Sequence, residues 1–144
     1  MSAKLHLILL LAFNLMGCAT VHQEKLSKAP VNLNKAISND SVKRLVSLYP
    51  PARTRFHIKQ SVNDSFSVSL IETLRQRGYS INEASVKGSN APNPSDLVLY
   101  YVVDEPIKGA LYRVTLSVGQ QSLSRAYKIK NSVLTPLGFW VRKE

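Results

Sequence analysis

The sequence predicts an α+β domain over residues 38–144, with two helices packed on a mainly antiparallel sheet of about five or six strands. Three observations lead there. Apolar residues recur every three or four positions in two separate stretches, they alternate with polar residues through most of the second half, and proline, glycine and asparagine punctuate the intervals. Ahead of this domain, residues 1–17 read as a signal peptide and residues 18–37 as a tether poor in large apolar side chains. A domain of this length supports one core and is too small for two.

The first helix is expected in "SNDSVKRLVSLYPP", where Asn39, Asp40 or Ser41 supplies a cap and Val42, Leu45, Val46 and Tyr49 lie at helical spacing. Pro50 and Pro51 end it. In "ARTRFHIKQ" the period becomes two, so Thr54, Phe56 and Ile58 share one side of a strand. Arg53, Arg55, His57 and Lys59 share the other, which is expected to be exposed. The second helix follows Asp64 as its cap, with Phe66, Leu70 and Leu74 in one row widened by Val68 and Ile71. Gly78 suits the left-handed position that closes it, and Arg75 and Arg77 suit the negative end of its dipole. "YSINEAS" predicts a short strand, and "VKGSNAPNPSD" a polar loop.

The second half reads as a meander. "LVLYYVV" at Leu97–Val103 is apolar on both faces; "ALYRVTLSV" and "SLSRAYKIK" each alternate, with Tyr112, Val114, Leu116 and Val118 on one side and Leu123, Arg125, Tyr127 and Ile129 on a matching side. "DEPIKG" and "GQQ" connect them. Tyr100, Tyr101, Tyr112 and Tyr127 are expected in cross-strand packing. The end, "TPLGFWVRKE", predicts a last short strand with Phe139 and Val141 on one side and Trp140 on the other, its apolar residues completing the core.

At the N-terminus, Lys4 precedes an apolar run from Leu5 to Met16, followed at once by Gly17 and Cys18. That is the size of a signal-peptide core and is short of the about 20 residues a membrane-spanning helix needs. "LMGC" resembles the lipobox of bacterial lipoproteins: Leu15 is a large aliphatic residue three positions before the cysteine, and Gly17 is small. The resemblance implies cleavage between Gly17 and Cys18, a thioether from Cys18 to diacylglycerol, and acylation of the new amine. One acyl chain holds a protein only marginally at roughly 0.8 kcal/mol per buried CH2, so two or three on one residue make a stable attachment to membrane lipid. Ala19 is not the aspartate that commonly retains such lipoproteins at the inner membrane. The expected location is therefore the outer membrane, with the domain facing the periplasm. Cys18 is the only cysteine, so its acylation leaves no thiol for catalysis or a disulfide.

Nineteen Lys+Arg against nine Asp+Glu give a formal net charge of +10, which favours anionic surfaces: lipid head groups, cell-wall polymers or acidic protein partners. No recognisable DNA- or RNA-binding motif occurs, and direct nucleic-acid binding is not expected. Beyond the leader the histidines are His22 and His57, with no HExxH spacing, so neither a metal site nor a cofactor is assigned. There is no GxSxG elbow, and Asp104 and Glu105 are adjacent at a turn rather than opposed across a substrate. No catalytic residue is assigned, and an enzyme is not expected. The strip Arg53, Arg55, His57 and Lys59 reads in two ways: an electrostatic docking surface, or a charged sheet face that discourages aggregation. The two apolar faces of Leu97–Val103 call for cover on both sides, from a further helix layer or from a neighbouring subunit in a homo-oligomer or ring.

Three blocks in order carry a family resemblance: Leu48–Arg55, Phe66–Tyr79 closed by "RGY", and "LSRAY" at Leu123–Tyr127 followed by "TPLGFW" at Thr135–Trp140. With the lipobox, they make the chain similar to the TrbH family of conjugal transfer lipoproteins over nearly its full length. The resemblance implies a structural part of the type IV secretion apparatus that forms mating pairs, with protein partners in an envelope-spanning complex. Residue by residue it carries over Gly17 and Cys18 alone. A reading of another class is an envelope-binding lipoprotein outside the transfer channel, serving cell-wall binding or entry exclusion.

Overall fold

The computed structural model describes residues 31–83 and 93–144. Two helices lie on one face of a six-stranded sheet, the α+β arrangement expected from the alternation of periods. Helix α1 spans Val31–Leu48, a 3-10 turn Pro51–Arg53 leads into β1 (Arg55–Ile58), and α2 (Ser65–Gln76) crosses to β2 (Ser80–Glu83). Strands β3 (Leu97–Ile107), β4 (Leu111–Val118), β5 (Gln121–Lys130) and β6 (Val133–Lys143) complete the sheet in the order β2-β1-β3-β4-β5-β6. The last four form the antiparallel meander, whereas β1 pairs in parallel with both β2 and β3.

Helix α1 starts earlier than its polar sequence suggested. Residues 31–37, read as the end of the tether, are helical, and Leu33 and Ile37 are buried. The reason is a four-residue row, Leu33, Ile37, Ser41 and Leu45, that stays against the sheet, with small Ser38 and Ser41 allowing close approach. Asn39, Asp40 and Ser41 are therefore mid-helix rather than capping. Asp40 turns instead to the sheet: its Oδ2 accepts hydrogen bonds from Arg125 Nη1 at 2.9 Å and Tyr127 Oη at 2.8 Å. Ser38 Oγ donates to the Phe66 carbonyl, joining the two helices.

Helix α2 follows its sequence except at Val68, which was expected to widen the buried row and is 44% exposed. Asp64 Oδ1 accepts from the Ser67 amide at 2.9 Å, and Ser67 Oγ accepts from the Asp64 amide at 3.1 Å, satisfying two backbone donors reciprocally. Phe66, Leu70, Ile71 and Leu74 face inward. Gly78 closes the helix at φ +87°, where a Cβ would be strained.

The core between the layers gathers Ile37, Val42 and Leu45 of α1, Phe66, Leu70 and Leu74 of α2, and Phe56, Ile58, Leu99, Val114, Leu116, Leu123 and Tyr127 of the sheet. Tyr112 and Tyr127 stand directly opposite each other across β4 and β5, and the Phe66 ring packs on Tyr101 with centroids 5.0 Å apart. Burial raises the pKa of the Tyr127 hydroxyl above its ordinary value, and its bond to the Asp40 carboxylate pushes the same way.

The terminal strand departs from expectation. β6 is eleven residues long, and its apolar side chains do not all complete the core. Trp140 and Leu134 pack against it, but Phe139 is 93% exposed and Val141 64%. The register moves by two residues between Ser124 opposite Val141 and Ala126 opposite Leu137, where Gly138 adopts φ +63°, so Leu137 and Val141 keep the same face, opposite to that of the core residues Leu123 and Tyr127.

Candidate docking surfaces

The basic strip is only partly assembled. Arg53 lies on the 3-10 turn and is exposed, as are Arg55 and Lys59. His57 is not: it retains 6% exposure. Strand β1 is an interior strand, with His57 registered between Asn82 of β2 and Val98 of β3. The exposed four-residue strip is thereby corrected to three cations above a buried imidazole. Arg55 is also partly neutralised, its Nε 3.9 Å from the buried carboxylate of Asp96. That carboxylate accepts from the Asn93 amide and lies 3.4 Å from Asn82 Nδ2. The sequence placed Asp96 in the loop and did not single it out.

The free edge β6 is a second surface, and its hydrogen-bonding phase follows from the turn that starts it. Asn131 and Ser132 both have positive φ, 52° and 61°, and form a two-residue connection between Lys130 and Val133. Such a turn closes on a pair that exchanges both backbone bonds, so the next pairs alternate. Val133, Thr135 and Leu137 then bond to β5, while Leu134 and Pro136 present their main chain to the outer edge. The amide of Ile129, opposite Leu134, accordingly turns the other way and donates to the Ala110 carbonyl. Pro136 has no N–H, so the first half of the edge lacks a donor where an added strand would need one. Beyond the bulge the edge runs without proline through Val141, Arg142 and Lys143.

Arg125 fixes this bulge to the rest of the fold. Its Nη1 holds Asp40 of α1 and its Nη2 donates to the Gly138 carbonyl at 2.9 Å. One guanidinium thus links α1, β5 and the segment that displays Phe139 and Val141. Arg125's role does not follow from alternation, whereas alternation does set Phe139 and Val141 opposite Trp140, and it is the Trp140 side that meets the core. The readable clue was glycine inside a strand pattern, which marks a bulge.

A third surface is the end of the sheet where α1 begins. The tips of the β3–β4 and β5–β6 hairpins meet there beside Asn32 and Leu33, around a shallow cavity of about 290 Å³ that also touches Tyr112 and Ile129. A larger groove of about 590 Å³ runs beside the two helices, lined by Lys35, Asn39, Asp64, Glu72 and Gln76 among others. Lys35 and Glu72 are both exposed in it. Among the described residues no three His, Cys, Asp or Glu side chains cluster as metal ligands, and no helix is long and apolar enough to cross a membrane. Gly17 and Cys18 lie outside the described residues.

The described residues form a two-layer α+β domain with a long free edge and exposed basic residues. The chain belongs to the family of the conjugal transfer protein TrbH, whose family model matches residues 19–144. Neither a curated protein nor a solved structure gave a significant match.

Proposed function

We propose that this chain is an outer-membrane-anchored structural lipoprotein of a conjugative type IV secretion apparatus, docking its periplasmic domain onto channel or ring components. The family match over residues 19–144 carries the reading, because it makes the chain a conjugal transfer component. The lipobox-like "LMGC" supports the anchor. Acyl chains at Cys18 hold the N-terminus at the membrane, and confinement there raises the effective concentration of weak docking surfaces. Arg53, Arg55 and Lys59 are one such surface. The second half of β6 is the other, since an extended partner segment can add to an edge free of proline.

The test is plasmid transfer from a donor whose only copy carries Cys18→Ser. Acyl labelling is expected to vanish, the protein to leave the membrane fraction, and transfer frequency to fall by more than tenfold. Undiminished labelling or full transfer efficiency contradicts the anchored role. Capture of glycan strands by the domain, with no contact to channel proteins, would favour the cell-wall reading.

A further inference from the structure

We infer that the hairpin-tip end of the sheet rests on an anionic bilayer surface, making a second membrane contact beside the acyl anchor. The inference rests on the anchored reading above. Three observations on different elements converge on it.

The first is where the chain comes in. Helix α1 begins at Val31, and its first turn lies against Gly109, Ile129 and Ser132, the two hairpin tips. Twelve residues separate Cys18 from Val31, and the connection spans at most about 45 Å at full extension. The chain therefore enters the domain at the end that carries these tips; the β4–β5 turn at Gly119–Gln120 is at the other end of the same strands.

The second is what the tips expose. Ile107 is 58% exposed at the end of β3 and Val133 62% exposed at the start of β6. Neither completes the core, and both flank turns, where a solvated loop ordinarily ends in polar residues. Apolar side chains at protruding tips suit insertion at the boundary between head groups and acyl chains.

The third is the charge around them. Lys108, Lys128 and Lys130 are exposed at this end, with long stems that can lie along apolar surface while the ammonium meets phosphate. The acidic groups nearby are engaged: Glu105 accepts the Gly109 amide, and Asp104 is paired with Arg113. A second copy of this chain would bring the same three lysines together, and like charges oppose that contact. An anionic lipid surface complements them.

The experiment uses the acylated full chain in phosphatidylethanolamine–phosphatidylglycerol vesicles and in phosphatidylcholine vesicles. Acylation occupies the only native thiol, so Ile107→Cys, Val133→Cys and, as the distal reference, Gln120→Cys each give a unique site for a nitroxide. At 107 and 133 in the anionic vesicles, oxygen is expected to quench at least about threefold better relative to a water-soluble nickel chelate than at 120. Replacing Lys108, Lys128 and Lys130 together with Glu should abolish the difference, while the circular dichroism spectrum and melting stay as in wild type. Equal accessibility at all three positions in anionic vesicles overturns the inference, as does protection that requires an added acidic protein. An unmodified Cys18 by mass spectrometry overturns the anchor reading and this inference with it, whereas acylated protein with water-exposed tips overturns this inference alone.

Discussion

The two halves of the sheet solve the burial of a strand differently. In the parallel half, β1 has four residues, three of them buried, His57 on the alternate face among them. In the meander, β4 buries every second residue and leaves the alternate ones partly or fully accessible. The same period-two pattern therefore has different consequences. A polar residue on the alternate face is solvated in β4, as Arg113 is, and enclosed in β1, as His57 is. Neighbours decide the environment of a side chain; alternation decides only which face it takes.

The largest test of this contrast is at Phe56. Its ring is fully buried between Tyr79, 5.1 Å away by centroid, and Tyr49 at 6.2 Å. Phe56→Ala leaves a cavity in the narrow parallel half, where short strands have few contacts to relax into, and should cost about 3–5 kcal/mol in urea unfolding. A loss below about 1 kcal/mol would mean that β1 contributes little and that the meander and helices hold the fold without it.

What was legible in the sequence follows the same division. Helix α2, with Asp64 and Gly78 at its ends, and the faces of β4 and β5 depend on local chemistry, and each was placed from its own residues. The parallel pairing of β1, the enclosure of His57 and the early start of α1 depend on partners distant in sequence. Pro30 before Val31, with Leu33 and Ile37 in step with Leu45, was a readable start signal, but the polar residues between them concealed it. Of the basic strip, three positions were correct as exposed cations. The accessible half of β6 was hidden by assuming that apolar residues at a chain end complete the core.

A smaller effect is expected in alkali. Burial pushes the Tyr79 hydroxyl up to about 12, and it raises Tyr101 and Tyr127 as well. The native state thus holds these protons more tightly than the unfolded chain, in which tyrosine titrates near 10. Their contribution is complete below about pH 10 and, for Tyr79, declines as pH rises from about 10 to about 12. Urea midpoints measured across that window should fall, and Tyr79→Phe should make the fall shallower. An unchanged slope in Tyr79→Phe would assign the alkaline loss to the tyrosines of the meander and α2 contacts.

The smallest effect on stability is expected at Phe139, the same residue type as Phe56 in the opposite setting. Almost nothing of its ring is removed from water, so Phe139→Ser should leave the unfolding free energy within about 0.5 kcal/mol of wild type. Its consequence should appear in plasmid transfer, because a large apolar side chain held outward by a glycine bulge and the Arg125 clamp is positioned for a partner. Transfer should fall while folding remains. Pro136→Thr sharpens the result, since it restores an outward N–H to the blocked half of the edge and should increase concentration-dependent self-association in sedimentation. If Phe139→Ser instead destabilises the domain and leaves transfer intact, the ring serves the fold, and docking belongs to the cations at Arg53, Arg55 and Lys59.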